Sequence, residues 1–196
     1  MITIPEGDFD AYIFDCDGTL AHTMPLHYRA WSVALSRQSA VFPEPLFYEL
    51  GGVPTVTIVK ILNERFGHAM DPEATALEKE EVFIELIPQT TPVEPVVRLV
   101  HELYGRKPLA VASGGHRHIV LKTLEALGIA DRFDAILGVE DYLHGKPAPD
   151  PYLEAARRLG VDPRRCLAFE DTATGIQAAT AAGMKTVLVP RPLDGE

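Results

Sequence analysis

Five short apolar runs, at residues 11–14, 109–112, 135–137, 167–169 and 186–189, are each followed at once by polar or glycine residues. Runs of this length that do not alternate with polar positions predict strands buried on both faces. From residue 109 onward helical patterns separate them: 117–127 closed by Gly128, 151–159 closed by Gly160, and 175–182 closed by Gly183. Glycine ends a helix without steric cost, and Asp150 before Pro151 reads as an N-cap with proline at the first helical position. Strand and helix alternating in this way predict a parallel sheet covered on both faces.

The rhythm breaks between residues 22 and 90. There the apolar residues recur at three- and four-residue spacing over 26–35, 56–66 and 74–87, with Pro43, Pro45, Gly51, Gly52, Gly67 and Pro72 between them. The pattern predicts a helical insert of roughly 70 residues, within domain size, that leaves after the first strand and rejoins near 88–95. The expected fold class is α/β: a Rossmann-like parallel sheet core of residues 1–21 and 91–196, with an inserted all-α cap domain of residues 22–90. Ligands of open parallel sheets bind beyond the carboxyl ends of the strands, so the insert is expected to act as a lid.

Composition narrows the class. A chain of 196 residues with 46% hydrophobic content can bury a sizeable core. The net charge of -10 is spread along the chain, which argues against nucleic acid and against an anionic membrane as partners. No apolar run approaches the ~18 residues of a membrane span, and the first ten residues lack a basic region followed by an apolar stretch. A cytoplasmic monomer is expected. Cys16 and Cys166 form no spaced metal motif and would lie ~13 Å apart along adjacent strands, which predicts two free thiols.

The residues just past each strand carry the chemistry: Asp15-Cys16-Asp17-Gly18-Thr19, then Ser113-Gly114-Gly115, then Gly145-Lys146-Pro147, then Glu170-Asp171-Thr172. Four carboxylates brought to one edge (Asp15, Asp17, Glu170, Asp171) repel one another unless a cation neutralises them, and hard oxygen ligands select Mg2+. Lys146, the Ser113 hydroxyl and the Gly114 N–H can donate to phosphoryl oxygens. These are the parts phosphoryl transfer needs, since most of its catalysis is positioning and charge neutralisation. Asp15 and Asp17, one residue apart, can divide the work, Asp15 as nucleophile and Asp17 as general acid then base. Gly18 allows the sharp turn after them.

With these residues in view, the sequence closely resembles the haloacid dehalogenase-like superfamily, in particular the sugar-phosphate phosphatases and beta-phosphoglucomutases with a small helical cap. Four motifs carry the resemblance across nearly the whole chain: Phe14-Asp15-Cys16-Asp17-Gly18-Thr19, Ala112-Ser113-Gly114, Lys146-Pro147 and Phe169-Glu170-Asp171. It implies Asp15 as nucleophile and metal ligand, Asp17 as acid/base and ligand, and Ser113, Gly114 and Lys146 as phosphate binders. Asp171 would complete the Mg2+ site, with Glu170 either ligating or orienting Lys146. His27, Arg29, Ala30 and Trp31, with Gly51-Gly52, resemble the cap of phosphatases acting on fructose 1-phosphate and related sugar phosphates. Beta-phosphoglucomutases have a cap-loop arginine and a later cap lysine where Thr55 and Glu85 stand here, which favours hydrolysis over isomerisation. A mutase and a non-catalytic binding module are the alternatives; dehalogenation is disfavoured, since a halide leaving group has no use for the acid Asp17.

Outside the four motifs, His27, Gly52 and His116 are possible substrate contacts. Each also has a structural reading, as a packed cap residue, a turn and a solvated helix start. Trp31 is expected to pack, and Glu78, Glu80, Glu81 and Glu85 to form a solvated face.

Overall fold

The computed structural model describes residues 2–51 and 53–190. Its strands are β1 (Ala11–Phe14), β2 (Leu109–Ala112), β3 (Ala135–Leu137), β4 (Cys166–Glu170) and β5 (Lys185–Leu188), all parallel in the order β3-β2-β1-β4-β5. Among the described residues the helices are α1 (Met24–Ser36), α2 (Glu44–Glu49), α3 (Thr55–Phe66), α4 (Pro72–Leu86), α5 (Glu94–Leu103), α6 (Arg117–Ala126), α7 (Asp150–Leu159) and α8 (Ala173–Ala181). The expected α/β class, a parallel sheet with a helical insert after the first strand, is the observed one.

The chain winds outward from β1 to β3 and then crosses to β4 on the other side. Winding therefore reverses at β1, the place where open sheets bind ligands. Phe14 lies level with Val111 of β2 and Phe169 of β4, which brings Asp15 beside Ala112 and Glu170.

Side chains alternate across the strands, so the two faces of the sheet carry different cores. One face is bulky: Phe14, Leu109, Val111, Leu167 and Phe169 pack against Val96, Val97 and Val100 of α5 and Val120 and Leu124 of α6. The other is rich in small residues, Ala11, Ala110, Ala112 and Ala168 against Ala155, Ala156, Ala178 and Ala179, with Ile13, Leu137 and Met184 among them and Tyr152 of α7 as its large aromatic. Full burial of each Val, Leu or Phe contributes about 1.5–3 kcal/mol.

Contacts divide the chain into two compact units, Thr23–Thr90 and the remainder. The helical unit has its own core of Trp31, Leu35, Phe42, Phe47, Val59 and Leu62, and Asn63 pins the turn after α3 with bonds to both backbone groups of Met70. Trp31 is packed there, as expected, with its ring edge-on to Phe42.

Three local expectations need correction. Helices α2 and α5 have no counterpart among those predicted; Pro45 reads as a break, yet it and Pro95 each lie in a first turn, where a missing N–H costs nothing. Asp150 is not an N-cap: it begins α7, and its carboxylate accepts from the backbone N and Nδ1 of His144 instead. Strand β5 is shifted one residue earlier than its apolar run, with Lys185 and Leu188 exposed.

Both cysteines are free and buried. Cys166 pairs with Ala11 in the sheet, five residues before Cys16 and ~16 Å away along the strand. Burial pushes the Cys166 thiol up to about 11. No helix among the described residues is long and apolar enough to cross a membrane.

Candidate active site

The site is built where β1, β2 and β4 end. Asp15 N donates to Phe169 O at 3.0 Å, so Asp15 still follows the sheet, and the chain then turns sharply as Leu20 N and Ala21 N close on Cys16 O. Gly18 makes that turn at φ 86°, and a Cβ there would lie 2.3 Å from Asp171 Oδ2. The residue is glycine for two reasons: L side chains disfavour this φ, and the carboxylate leaves no room.

Lys146 ties the edge together. Its ammonium, on a side chain only 8% exposed, donates to Asp15 Oδ1 at 2.7 Å and to Glu170 Oε1 at 2.5 Å. Burial works against the charge, but Asp15, Tyr152 and Glu170 outweigh it and hold the lysine pKa well above its ordinary value. Asp15 goes the other way from a normal carboxylate. Burial raises its pKa well above the usual range, Lys146 opposes this, and Glu170, Asp171 and Asp17 raise it further.

Glu170 is fully engaged. Oε1 accepts from Lys146 and Tyr152 Oη, and Oε2 from the backbone N of Asp171, the backbone N of Thr172 and the Thr172 hydroxyl. These donors outweigh its burial and leave its pKa lowered. A carboxylate offers about four lone-pair sites, so ligation by Glu170 would mean trading one of these bonds. Gly175, the third residue of α8, is what lets Glu170 lie there: a Cβ on it would fall 1.8 Å from Oε1.

Ser113 is buried at the end of β2, and its hydroxyl oxygen accepts from Gly115 N at 3.1 Å, which leaves the hydroxyl proton for donation. Its carbonyl accepts from Tyr142 Oη at 2.8 Å, and burial, together with Asp15, Glu140 and Asp141 against the opposing Lys146, pushes that phenol up to about 12. Gly114 is exposed beside it. The half-buried Asp17 acts electrostatically on Asp15, and Asp171 is buried, 7% exposed.

One carboxylate oxygen each from Asp15, Glu170 and Asp171 lie within 4.8 Å of one another, all three residues buried. Buried acids that together raise the pKa of Asp15 and offer only hard oxygens fit a small divalent cation.

A family model described as haloacid dehalogenase-like hydrolase matches residues 9–183. The chain belongs to this family. As a haloacid dehalogenase-like hydrolase it is an enzyme. It is 38% identical over 175 residues to the fructose-1-phosphate phosphatase YqaB of Escherichia coli (strain K12), covering 89% of this chain and 93% of that one. It is 33% identical over 192 residues to hexitol phosphatase B of the same strain, covering 93% of this chain and 84% of the relative. Among solved structures, CbbY from Rhodobacter sphaeroides in complex with phosphate superposes with a TM-score of 0.81 at 27% identity, over 93% of this chain and 86% of that one.

The structure thus brings Asp15, Lys146, Glu170 and Asp171 together at one sheet edge, with Asp17 beside Asp15 and Ser113 on the neighbouring strand. The remaining candidates are His27, His116 and Gly52. His27 is in the helical unit, stacked on Phe83 at 3.7 Å between ring centroids, with Nδ1 2.9 Å from Lys79 Nζ. His116 is exposed before α6, 3.7 Å from the Glu140 carboxylate, and Gly52 lies outside the described residues.

Sequence reasoning missed Tyr152, Tyr142 and Gly175, whose roles depend on what they touch. It also missed Lys79. Lys79 is buried on α4, and its ammonium faces the Trp31 and Phe83 rings at 6.0 and 5.2 Å. A signal was available: Lys79 lies four residues before Phe83, on the same helix face.

Proposed function

We propose that this chain is a magnesium-dependent phosphoric monoester hydrolase acting on a small phosphorylated metabolite, a sugar phosphate such as fructose 1-phosphate. The observation that carries the reading is Asp15, a buried carboxylate with a lysine ammonium 2.7 Å away and further acids around it. Kinship with fructose-1-phosphate and hexitol phosphatases supports the substrate class.

In this reading a carboxylate oxygen of Asp15 attacks phosphorus, the ester P–O bond breaks, and Asp17 gives its proton to the leaving alcohol oxygen. Asp17 then takes a proton from water, which attacks the aspartyl-phosphate; the Asp15–phosphorus bond breaks and inorganic phosphate leaves. Lys146, the Ser113 hydroxyl and Gly114 N–H hold the phosphoryl oxygens through transfer. Asp15, Asp17 and Asp171 would hold Mg2+, with Glu170 at its border holding Lys146. Bound there, the ion supplies charge neutralisation of the acids and of the transferring group.

Substrate choice is assigned to the helical domain of residues 22–90, with His27 and Gly52 as contacts and His116 as a third from the core domain of residues 1–21 and 91–196. The protein is taken as a cytoplasmic monomer with no nucleic-acid or membrane partner. The test is phosphate release from sugar, polyol and nucleotide monophosphates with magnesium and with chelator. Release from sugar or polyol phosphates that chelator abolishes is the expected result; no release from any ester, or release indifferent to chelator, overturns the reading.

A further inference from the structure

We infer that Tyr152 is a positioning residue that sets the aim of Lys146 at phosphate, an inference that rests on the phosphate-binding role proposed for Lys146. Tyr152 has 0% exposure in α7, on the sheet face packed mostly with alanines. A phenylalanine would fill the same volume. The hydroxyl needs a reason, because a buried one costs free energy unless it is bonded.

Its bond is specific. Tyr152 Oη donates at 3.0 Å to Oε1 of Glu170, the oxygen that also accepts from Lys146 at 2.5 Å. The Lys146 ammonium lies 5.2 Å from the centroid of the Tyr152 ring. Tyr152 therefore meets the lysine twice, through the negative face of its ring and through a shared acceptor.

The shared acceptor decides the function. A carboxylate oxygen alone with a buried ammonium would draw it fully to itself, since the attraction is strong in so dry a site. By donating to Oε1, the phenol takes up part of its negative charge and weakens its hold on Lys146. An ammonium has three hydrogens; with one on Glu170 and one on Asp15 Oδ1, the third is left for a phosphoryl oxygen. Without the phenol, the lysine is expected to sit closer to Glu170 and further from the incoming phosphate.

The test compares inhibition by inorganic phosphate, and KM for a hydrolysed ester, in the wild type, in Tyr152→Phe and in a chain with a fluorinated tyrosine at position 152 alone. Tyr152→Phe keeps the ring and removes the donor, and is expected to raise the phosphate inhibition constant and KM together by about tenfold, the scale of one hydrogen bond to a charged group. The fluorinated, more acidic phenol is the stronger donor and is expected to lower both. A purely structural role would not move the two variants in opposite directions. Unchanged constants in Tyr152→Phe, or the same direction in both variants, overturn the inference. Should Tyr152→Phe not fold, the fluorinated chain decides alone, tighter phosphate supporting the inference and unchanged or weaker phosphate sinking it. If the wild type releases phosphate from no ester, the underlying reading falls and takes this inference with it; wild-type turnover with an indifferent Tyr152 sinks this inference only.

Discussion

Lys146 and Asp15, 131 residues apart in the chain, meet at 2.7 Å with both side chains nearly sealed from water. The pair is one ammonium facing a crowd of acids, and its imbalance has consequences for both stability and activity.

Asp15→Asn is expected to remove the nucleophile and cut phosphate release by at least about a thousandfold while the fold is retained. The same change should raise the melting temperature of the metal-free protein, because burial and the neighbouring acids already disfavour the Asp15 charge. Thermal melts in chelator check the second half; a lower melting temperature would contradict it.

Lys146→Met has the opposite sign. Removing the cation leaves Asp15 and Glu170 buried without it, an unbalancing that typically costs about 3–5 kcal/mol. Urea unfolding of the metal-free protein should show this loss, and saturating magnesium should restore part of it by binding only the folded state. An equal loss with and without magnesium would argue against a cation site among these acids.

Gly175→Ala tests the space beneath Glu170. Glycine to alanine within a helix ordinarily stabilises by about 0.8–1 kcal/mol. Here the added Cβ would fall 1.8 Å from Glu170 Oε1, so the change is expected to destabilise by about 1–3 kcal/mol and to impair phosphate release by displacing the partner of Lys146. A more stable, fully active variant would disprove the packing described.

Tyr142 gives a pH dependence. Its phenol is raised from 10.0 to about 12, so the folded state keeps the proton longer than the unfolded chain does. The stability it contributes is complete below pH 10 and is lost as pH rises through about 12. Subtracting the near-ultraviolet titration of Tyr142→Phe from that of the wild type isolates this phenol; a midpoint near 10 would refute the shift.

Much of this protein was legible along the chain. The apolar runs gave the sheet, because a strand buried on both faces must be apolar at every position, and the polar residues after each run gave the site, because parallel strands all end at one edge. Local pattern also misled. Pro45, in the first turn of α2, looked like a break, and Asp150, beside Pro151, looked like a cap although His144 holds its carboxylate.

Only the tertiary structure decided which oxygen each donor reaches. Glu170 Oε1 between Lys146 and Tyr152, Gly175 shaped around that carboxylate, and Lys79 under His27 are all pairings between residues that sequence spacing does not bring together. Backbone periodicity is a local property and can be read from neighbours in the chain. Side-chain bonding and charge balance depend on distances and burial that exist only once the segments have packed.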